Sequence, residues 1–421
     1  MAVTLLALMW VGGTFVRAAD TLTFDAVVAE TAKAARHVRR ADERARAYAT
    51  LAALVATDRP EQAKEWWDEA IKQASGIKPP GTRALAECTV AAELAPLNPQ
   101  RARALLDEAV TAAEATQEPL LRIVALREVG LALVPLDRPA GFKALDAAIL
   151  SAAEQTDAAV QSAALRDLGT AVKDVDAQRA RRLLEKAGQA AGGLEAGPAR
   201  DLAQAEVAAG WASLDFGRAL TVAQGIQGAA ERDRAFAEVA RIGAAESPDA
   251  AETIARQIAG PAPRAEALAA IARAVAARDP ALAAEMWREA RDLLGPAPDD
   301  PAKQDAQTAL VLAQAALEPA AAMTAAEKLP EAEDQQAVLC AALVELARRD
   351  PDAALAALDK IQEPYLRDEA CAAAAEALAR HDAQKAHALA DSVRLPGARF
   401  TLLMAITRAL APKPASTAPQ P

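Results

Sequence analysis

The chain has 421 residues, of which 52% are hydrophobic but only 3% aromatic, and its formal net charge is −11. This acidity argues against binding to nucleic-acid phosphates, which requires clustered lysine and arginine. Alanine supplies much of the apolar content. Because alanine is the strongest helix former and strand-favouring residues are sparse, the composition predicts an all-α protein.

The N-terminus differs from the rest of the chain. Ala2–Val16 is apolar and uncharged, and it is shorter than the roughly 20 residues that a transmembrane helix needs. Small residues follow before Asp20, as in a cleavable export signal, although no lysine or arginine precedes the run. We therefore expect residues 1–19 to be a signal peptide and the protein to be periplasmic or secreted. The alternative is a first, poorly capped apolar helix.

A repeat begins after this segment, and each copy is marked by an arginine, lysine or glutamine. The markers recur at intervals of 39 or 32 residues: Arg83, Arg122, Gln161, Arg200, Arg232, Arg264, Lys303, Gln335, Arg367 and Arg399, with an earlier copy near Arg44. Fifteen residues after each marker stands a residue that is mostly Asp, Asn or Ser, often followed by proline. These are the residues that begin helices. Each repeat is therefore predicted to hold two helices.

The apolar positions agree with this division. Large aliphatic residues dominate four and seven positions after the markers, which is the spacing of one helical face. Alanine or glycine stands nineteen positions after each marker from Arg83 to Arg367, which indicates a close crossing of the two helices. The predicted fold is a right-handed α-solenoid of about ten antiparallel helix pairs, because a single pair cannot bury its apolar face alone.

The two repeat lengths differ by seven residues, which is close to two helical turns. We expect the extra residues to lengthen the second helix or its exit loop, so that the first half of the array is thicker at one edge. The whole is predicted to form one elongated domain over residues 20–411, followed by a disordered Pro-rich tail over residues 412–421.

Small residues also stand eight positions after the markers: Ala91, Gly130, Gly169, Ala208, Ala240 and Ala272. With the larger residues at positions four and seven, this pattern resembles the tetratricopeptide repeat, with HEAT-type solenoids as the nearest relatives. The period departs from that family's 34 residues in both directions. The resemblance implies that the first helices line a concave groove with positions two, five, nine and twelve.

That resemblance implies a set of groove candidates: Arg127, Arg166, Lys173, Arg234, Arg241 and Arg273. Basic spots in an acidic protein would suit an acidic peptide or a carboxylate-bearing envelope polymer. A solvated helix face is the alternative. An acidic residue stands six positions after four markers and could pair with these cations: Glu128, Asp167, Glu206 and Glu238. The marker arginines also have two interpretations, as a basic ridge or as cations at the carbonyl ends of the preceding helices.

No catalytic, cofactor or metal motif is found. The histidines His37, His381 and His387 lack Cys or acidic partners at ligand spacing, and we expect them to be exposed. Three cysteines are too few for a disulfide framework, and small buried residues are the expected role of Cys88, Cys340 and Cys371. A bridge between the last two, which fall in neighbouring repeats, is conceivable.

An array of repeats without chemistry indicates a non-catalytic interaction scaffold of the bacterial envelope or periplasm, with a protein or peptide partner and no cofactor. The alternative is the helical frame of an enzyme or enzyme subunit, such as a lyase or a cell-wall-acting enzyme. A third possibility is a filler within a larger envelope complex, with exposed apolar ends. A buried acid in a pocket would favour the enzyme, and Glu87, Glu206 and Glu376 are the carboxylates to inspect.

Overall fold

The computed structural model describes residues 22–295, 303–361 and 363–411, and these residues form 22 α-helices and no strand. The predicted signal peptide, residues 1–19, and the predicted tail, residues 412–421, lie outside the described residues. The expectation of an all-α array of paired helices is confirmed.

Two kinds of helix alternate along the chain. The first helices of the pairs are α2 Ala41–Val55, α4 Pro80–Leu94, α6 Pro119–Leu133, α8 Ala158–Ala171, α10 Pro198–Ala212, α12 Ala229–Gly243, α14 Pro261–Val275, α16 Gln304–Leu317, α18 Ala332–Arg349, α20 Pro364–His381 and α22 Pro396–Leu410. The second helices are α1 Phe24–His37, α3 Pro60–Ser75, α5 Pro99–Glu114, α7 Arg138–Ala153, α9 Ala177–Gly192, α11 Phe216–Gln224, α13 Pro248–Ala255, α15 Pro280–Leu294, α17 Pro319–Ala326, α19 Pro351–Leu358 and α21 Ala383–Ala390.

The predicted helix starts are confirmed. Asn98, Asp137 and Asp279 each accept a hydrogen bond from the backbone N–H three residues later, at 3.0–3.1 Å. Ser247 and Glu318 occupy the same N-cap position without such a bond, and the proline that follows each of them begins the helix. The cap and the proline therefore fix where each second helix begins.

The two repeat lengths correspond to two lengths of second helix. In the 39-residue repeats the second helix has 15 or 16 residues, as in α5 and α15. In the 32-residue repeats it has 8 or 9 residues, as in α11 and α13. The extra residues thus lengthen the second helix by about two turns, as expected.

The small positions mark close crossings between paired helices. A Cβ atom on Gly141 would lie 2.7 Å from the backbone nitrogen of Val134 and 2.8 Å from the carbonyl oxygen of Gly130. A Cβ on Gly130 would lie 2.8 Å from Cγ of Leu145. The axes of α6 and α7 approach so closely that only glycine fits at these two positions.

The marker residues hold the preceding turn to the next helix. Arg232 donates to the carbonyl oxygen of Ile226 at 3.3 Å, Gln335 to that of Leu329 at 2.7 Å, and Arg44 to that of Val38 at 2.7 Å. Of the two interpretations of this column, the cation at a carbonyl end is the one that these contacts support.

The two ends of the array meet. Helix α1 packs on α22, and Val28, Ala35 and Met404 are buried in one continuous hydrophobic core. The expectation of an elongated array is therefore wrong: the chain closes into a ring. Helix α1 takes the place of the second helix that α22 lacks, so that the first and last helices together complete an eleventh pair. We call the joint where α22 meets α1 and α2 the seam.

The first helices form the inner layer of this ring. Most of them pack on the first helices before and after them, with sparser contacts between α6 and α8 and between α22 and α2. Successive second helices are instead bridged by long side chains, such as Arg179 reaching Asp146 at 2.6 Å. In a closed ring the layer with the tighter spacing has the smaller circumference. If the eleven helices were evenly spaced with their axes about 9 Å apart, the circle would have a radius of about 16 Å, and subtracting half a helix diameter would leave an opening about 20 Å wide.

Candidate functional site

The inner face of the first helices is a candidate surface for a ligand. Arg166 on α8, Leu202 on α10 and Arg234 on α12 line one cavity of about 460 Å³. These residues stand five, two and two positions after their markers, so the positions implied by the repeat resemblance do face the same side. We call this face the inner wall.

The six groove candidates differ in their surroundings. Arg166 and Arg234 line the cavity just described, and Arg241 and Arg273 lie on α12 and α14. Arg127 lies on α6. Lys173 lies beyond the end of α8, in the turn that leads to α9, so it is not part of a first helix. The structure thus brings Arg166 and Arg234 together and places Lys173 at the edge of the wall.

Half of the candidates are neutralised by acidic neighbours. Arg127 pairs with Glu128 at 2.6 Å, and Arg241 pairs with Glu238 at 2.5 Å. Arg166 pairs with Asp167 at 2.8 Å and with Glu206 on the next first helix at 2.5 Å. The acidic column six positions after the markers therefore pairs with the basic spots.

Arg234 and Arg273 are exposed, and neither forms an ion pair with any residue that the structure describes. The ion pairs of Arg127, Arg166 and Arg241 are open to solvent, and such pairs contribute only about 0–1 kcal/mol each to the free energy of unfolding. They fix the direction of the side chains more than they stabilise the fold. The free positive charge of this part of the wall is thus confined to few side chains.

One carboxyl of the inner wall has an altered acidity. Burial, followed by the nearby charges of Asp305 and Glu238, raises the pKa of Glu266 on α14, while Arg241 and Arg234 act in the opposite direction. Glu266 thus lies in a mixed cluster that spans three successive first helices, with two acids and two bases around it.

The three carboxylates that distinguish an enzyme from a scaffold differ in how far they are exposed to solvent. Glu206 and Glu376 are open to solvent and ion-paired, the latter with Arg380 at 2.5 Å. Glu87 is buried, and burial raises its pKa despite the opposing charge of Arg83. It lies close to Ser75 at the end of α3 and to Arg83 on its own helix.

The seam holds a second cavity, of about 600 Å³. It lies between α20 and α22 on one side and α2 and α4 on the other, where α22 and α2 touch only sparsely. We call it the seam cavity, and its lining includes three arginines, two aromatic residues and a methionine: Arg39, Arg46, Arg408, Tyr365, Phe400 and Met404.

Polar contacts behind this cavity tie the two ends of the chain together. Glu30 on α1 accepts a hydrogen bond from Arg399 at 2.8 Å and lies 2.7 Å from Nε2 of His387. Burial acts to raise the pKa of Glu30, but the bonds from Arg399 and His387 outweigh it, and the pKa lies below its ordinary value. The expectation that all histidines are exposed is wrong for His387, whose side chain is only 26% exposed because it takes part in this closure.

The three cysteines are unbridged. Cys88 and Cys371 are buried, and burial raises their pKa to about 12 and about 11. The conceivable bridge between Cys340 and Cys371 is therefore absent among the described residues. Within residues 22–295, 303–361 and 363–411, no cluster of His, Cys, Asp and Glu has the arrangement of a metal site. No helix in these ranges is long and apolar enough to cross a membrane.

Sequence reasoning missed the seam cavity, although a signal was present. Arg46 stands two positions after the marker Arg44, and Arg408 stands nine positions after Arg399, so both occupy positions of the inner wall. Applying the same groove positions to the first and last repeats would have identified both arginines. That they face one cavity depends on ring closure, which the repeat pattern does not encode.

Comparison with known proteins adds little to this picture. No protein-family model and no curated protein matches the chain. Among solved structures, the crystal structure of Ton1535 from Thermococcus onnurineus NA1 is similar over 82% of this chain and 96% of that chain, at 14% identity and a TM-score of 0.36. A likeness at this level carries no argument about fold or function.

Proposed function

We propose that the protein is a non-catalytic binding module that holds an extended segment of a protein partner against the inner wall of its ring. The observation that carries this proposal is the closure of the helix pairs around an opening whose wall carries exposed apolar and charged side chains, such as Leu202 and Arg234.

The size of the opening restricts the partner. A single helix is about 10–12 Å wide with its side chains, and it would fit an opening about 20 Å across. A folded domain of 100 residues, with a radius of gyration of about 13 Å, would not. An extended peptide or one helix is therefore the partner that this geometry favours.

The apolar run Ala2–Val16 supports an envelope or secreted location, and a partner in the bacterial envelope or periplasm follows from it. The mixed charge of the inner wall also favours a polypeptide, which offers both charged and apolar side chains, over a uniformly charged polymer.

A pull-down from an envelope extract tests the proposal with two matched substitutions. Leu202 on the inner wall is 57% exposed, and Leu150 on the second helix α7 is 61% exposed. Leu202→Asp should release the partners that the wild-type protein retains, whereas Leu150→Asp should retain them. Equal retention by both variants would contradict a role for the inner wall.

A second candidate function, an enzyme of the lyase or cell-wall-acting kind, has one observation in its favour. Glu266 is a carboxyl of the inner wall whose pKa is raised, as that of a general acid would be. Incubation with purified peptidoglycan, followed by chromatography of soluble products, tests it. Release of products by the wild-type protein but not by Glu266→Gln is the expected result for an enzyme.

A further inference from the structure

The seam cavity has the size of a ligand site. Its volume of about 600 Å³ falls within the range of about 300–1,000 Å³ that is usual for sites that bind small ligands or side-chain clusters. Four first helices contribute to it, and they come from opposite ends of the chain: α20 and α22 on one side, α2 and α4 on the other. It lies where α2 and α22 make few contacts with each other.

The cations of the seam cavity are available to a ligand. Arg39, Arg46 and Arg408 are exposed, and none has a carboxylate within ion-pairing distance in the described part of the chain. This contrasts with Arg127, Arg166 and other wall arginines that are already paired.

Three carboxylates also line the cavity, and two of them have partners. Glu43 lies 3.5 Å from Arg40, and Glu93 accepts from the Thr50 hydroxyl at 3.4 Å. Glu369 is the third. Three arginines and three glutamates thus line the cavity, so its lining has no excess of either charge. The arginines differ from the glutamates in having no ion-pair partner among the described residues, whereas Glu43 and Glu93 each have a partner, and the N–H donors of the three guanidinium groups are therefore open to a ligand.

An apolar floor accompanies the arginines. Phe400 and the buried Met404 on α22 line the cavity, and Tyr365 on α20 is 51% exposed at its edge. Aromatic side chains add stacking to the burial of apolar area. The cavity therefore offers contacts to an anion and to an aromatic side chain within one site.

We infer that the seam cavity binds a carboxylate-rich peptide segment that carries an aromatic side chain. The arginines pair with the carboxylates of the peptide, for which the guanidinium group is suited by its forked donors, and the aromatic side chain packs on Tyr365 and Phe400. This inference rests on the proposed function, because it names the anchor point and the chemistry of the partner segment.

Binding at this place has a consequence for the ring. A ligand that contacts α22 and α2 at once binds the closed ring and not the opened one, so it stabilises closure by mass action. Reciprocally, a change that opens the seam weakens peptide binding by the same factor by which the peptide favours the closed ring. The peptide should therefore slow hydrogen exchange in α1 and α22 and leave α12 and α14 unchanged.

Fluorescence anisotropy with a labelled, acetylated peptide of alternating glutamate and phenylalanine tests the site directly. The double variant Arg46→Glu/Arg408→Glu should bind it at least about tenfold more weakly, since two charge-assisted contacts are lost. The matched control Arg181→Glu/Arg182→Glu changes two exposed arginines on the second helix α9, away from the seam cavity and the inner wall, and should bind the peptide as the wild-type protein does. Unchanged circular dichroism spectra show that both variants are folded.

The outcomes separate this inference from the proposed function. Equal binding by the two double variants, or equal binding of a peptide in which lysine replaces glutamate, would overturn the inference. So would peptide binding without slower exchange in α1 and α22. The proposed function is judged separately by the pull-down with Leu202→Asp, whose residue does not line the seam cavity.

Discussion

The hydroxyl oxygens of Thr31 and Thr407 lie 3.0 Å apart, although 376 positions separate the two residues along the chain. Both side chains are fully buried. Each hydroxyl also lies 2.7 Å from the carbonyl oxygen four residues before it, which is the alternative acceptor for its proton. This buried contact joins α1 to α22. The end faces that an open array would expose are thus packed against each other.

A disulfide should form across this contact. In the variant Thr31→Cys/Thr407→Cys the two sulfur atoms would replace hydroxyl oxygens that are already in contact, so oxidation should join the ends of the array covalently. Because the pKa of each native cysteine is raised, the native thiols should compete little at pH 8. Intact mass after alkylation of free thiols measures the product.

A second pair provides the control for this cross-link. Thr401 lies on the same helix as Thr407 but is exposed and lines the seam cavity. The variant Thr31→Cys/Thr401→Cys should stay reduced under the same conditions. Cross-linking of both pairs at the same rate would mean that α1 does not rest on α22 as described.

The pH dependence of the seam should follow Glu30. Its pKa lies below the ordinary value of 4.5 when the protein is folded, so its contribution to stability is present above that value and is lost as the pH falls through the folded pKa. Glu30→Gln should therefore destabilise the seam at pH 7 by about 1 kcal/mol, a low figure because the side chain is partly exposed.

Denaturant unfolding of the wild-type protein and Glu30→Gln over a pH series from 7 downwards measures this effect. The difference between the two proteins should be largest at pH 7 and should shrink as the pH falls through the folded pKa of Glu30. Glu376 is an exposed carboxylate paired with Arg380, and Glu376→Gln should change stability little throughout the series. A difference between wild type and Glu30→Gln that stays constant over the series would exclude the ion pair as its cause.

Replacing Glu87 by leucine should stabilise the protein. The carboxyl is buried with one oxygen unpaired, and in other repeats the same position, four residues after the marker, holds buried leucines such as Leu126 and Leu268. The other oxygen lies 3.9 Å from Arg83, so the gain from removing the buried carboxyl is partly offset by the loss of this contact and should be about 1 kcal/mol. The exposed Glu114 provides a control, since Glu114→Leu should leave the urea midpoint nearly unchanged.

The pH should modulate the effect of Glu87→Leu. The raised pKa of Glu87 means that ionisation is opposed in the folded protein, so the wild type loses stability as the pH rises through the ordinary value for glutamate. The gain from Glu87→Leu should thus be larger at pH 7 than at pH 4. A gain that falls as the pH rises would contradict the burial of an ionisable group here.

Adding one methyl group at the closest helix crossing should be costly. A Cβ on Gly141 would meet backbone atoms of Val134 and Gly130 at 2.7 and 2.8 Å, so Gly141→Ala must separate α6 from α7 and should cost about 1–3 kcal/mol. Gly192, at the end of α9, has nothing within 4 Å of the same point, and Gly192→Ala should be neutral or slightly stabilising. Thermal unfolding of the two variants measures the contrast.

Much of the fold could be predicted from the chain because the determinants are local. The Asp caps and the prolines that follow them begin helices through their own backbone geometry, and the recurring alanines report close crossings. Closure into a ring could not be predicted in this way. Closure depends on small rotations between successive helix pairs that add up around the array. The sequence of a single repeat does not determine this total rotation.

The candidate site was predictable only in part, for the same reason. The inner-wall positions follow from helical periodicity, which identified Arg166 and Arg234 as neighbours of one cavity. The pairing of Arg166 with Glu206 on the next helix needs the spacing between repeats. The seam cavity needs both ends of the chain at once, and so Arg46 and Arg408 did not stand out.

Closure also changes how a partner could leave. A chain that passes through a complete ring, with a bulky domain on either side, is mechanically interlocked with it and cannot slide off. Its release then requires the joint at Glu30, Thr31 and Thr407 to part. Residence time would be set by the rate at which that joint opens, and affinity measured with short free peptides would underestimate it.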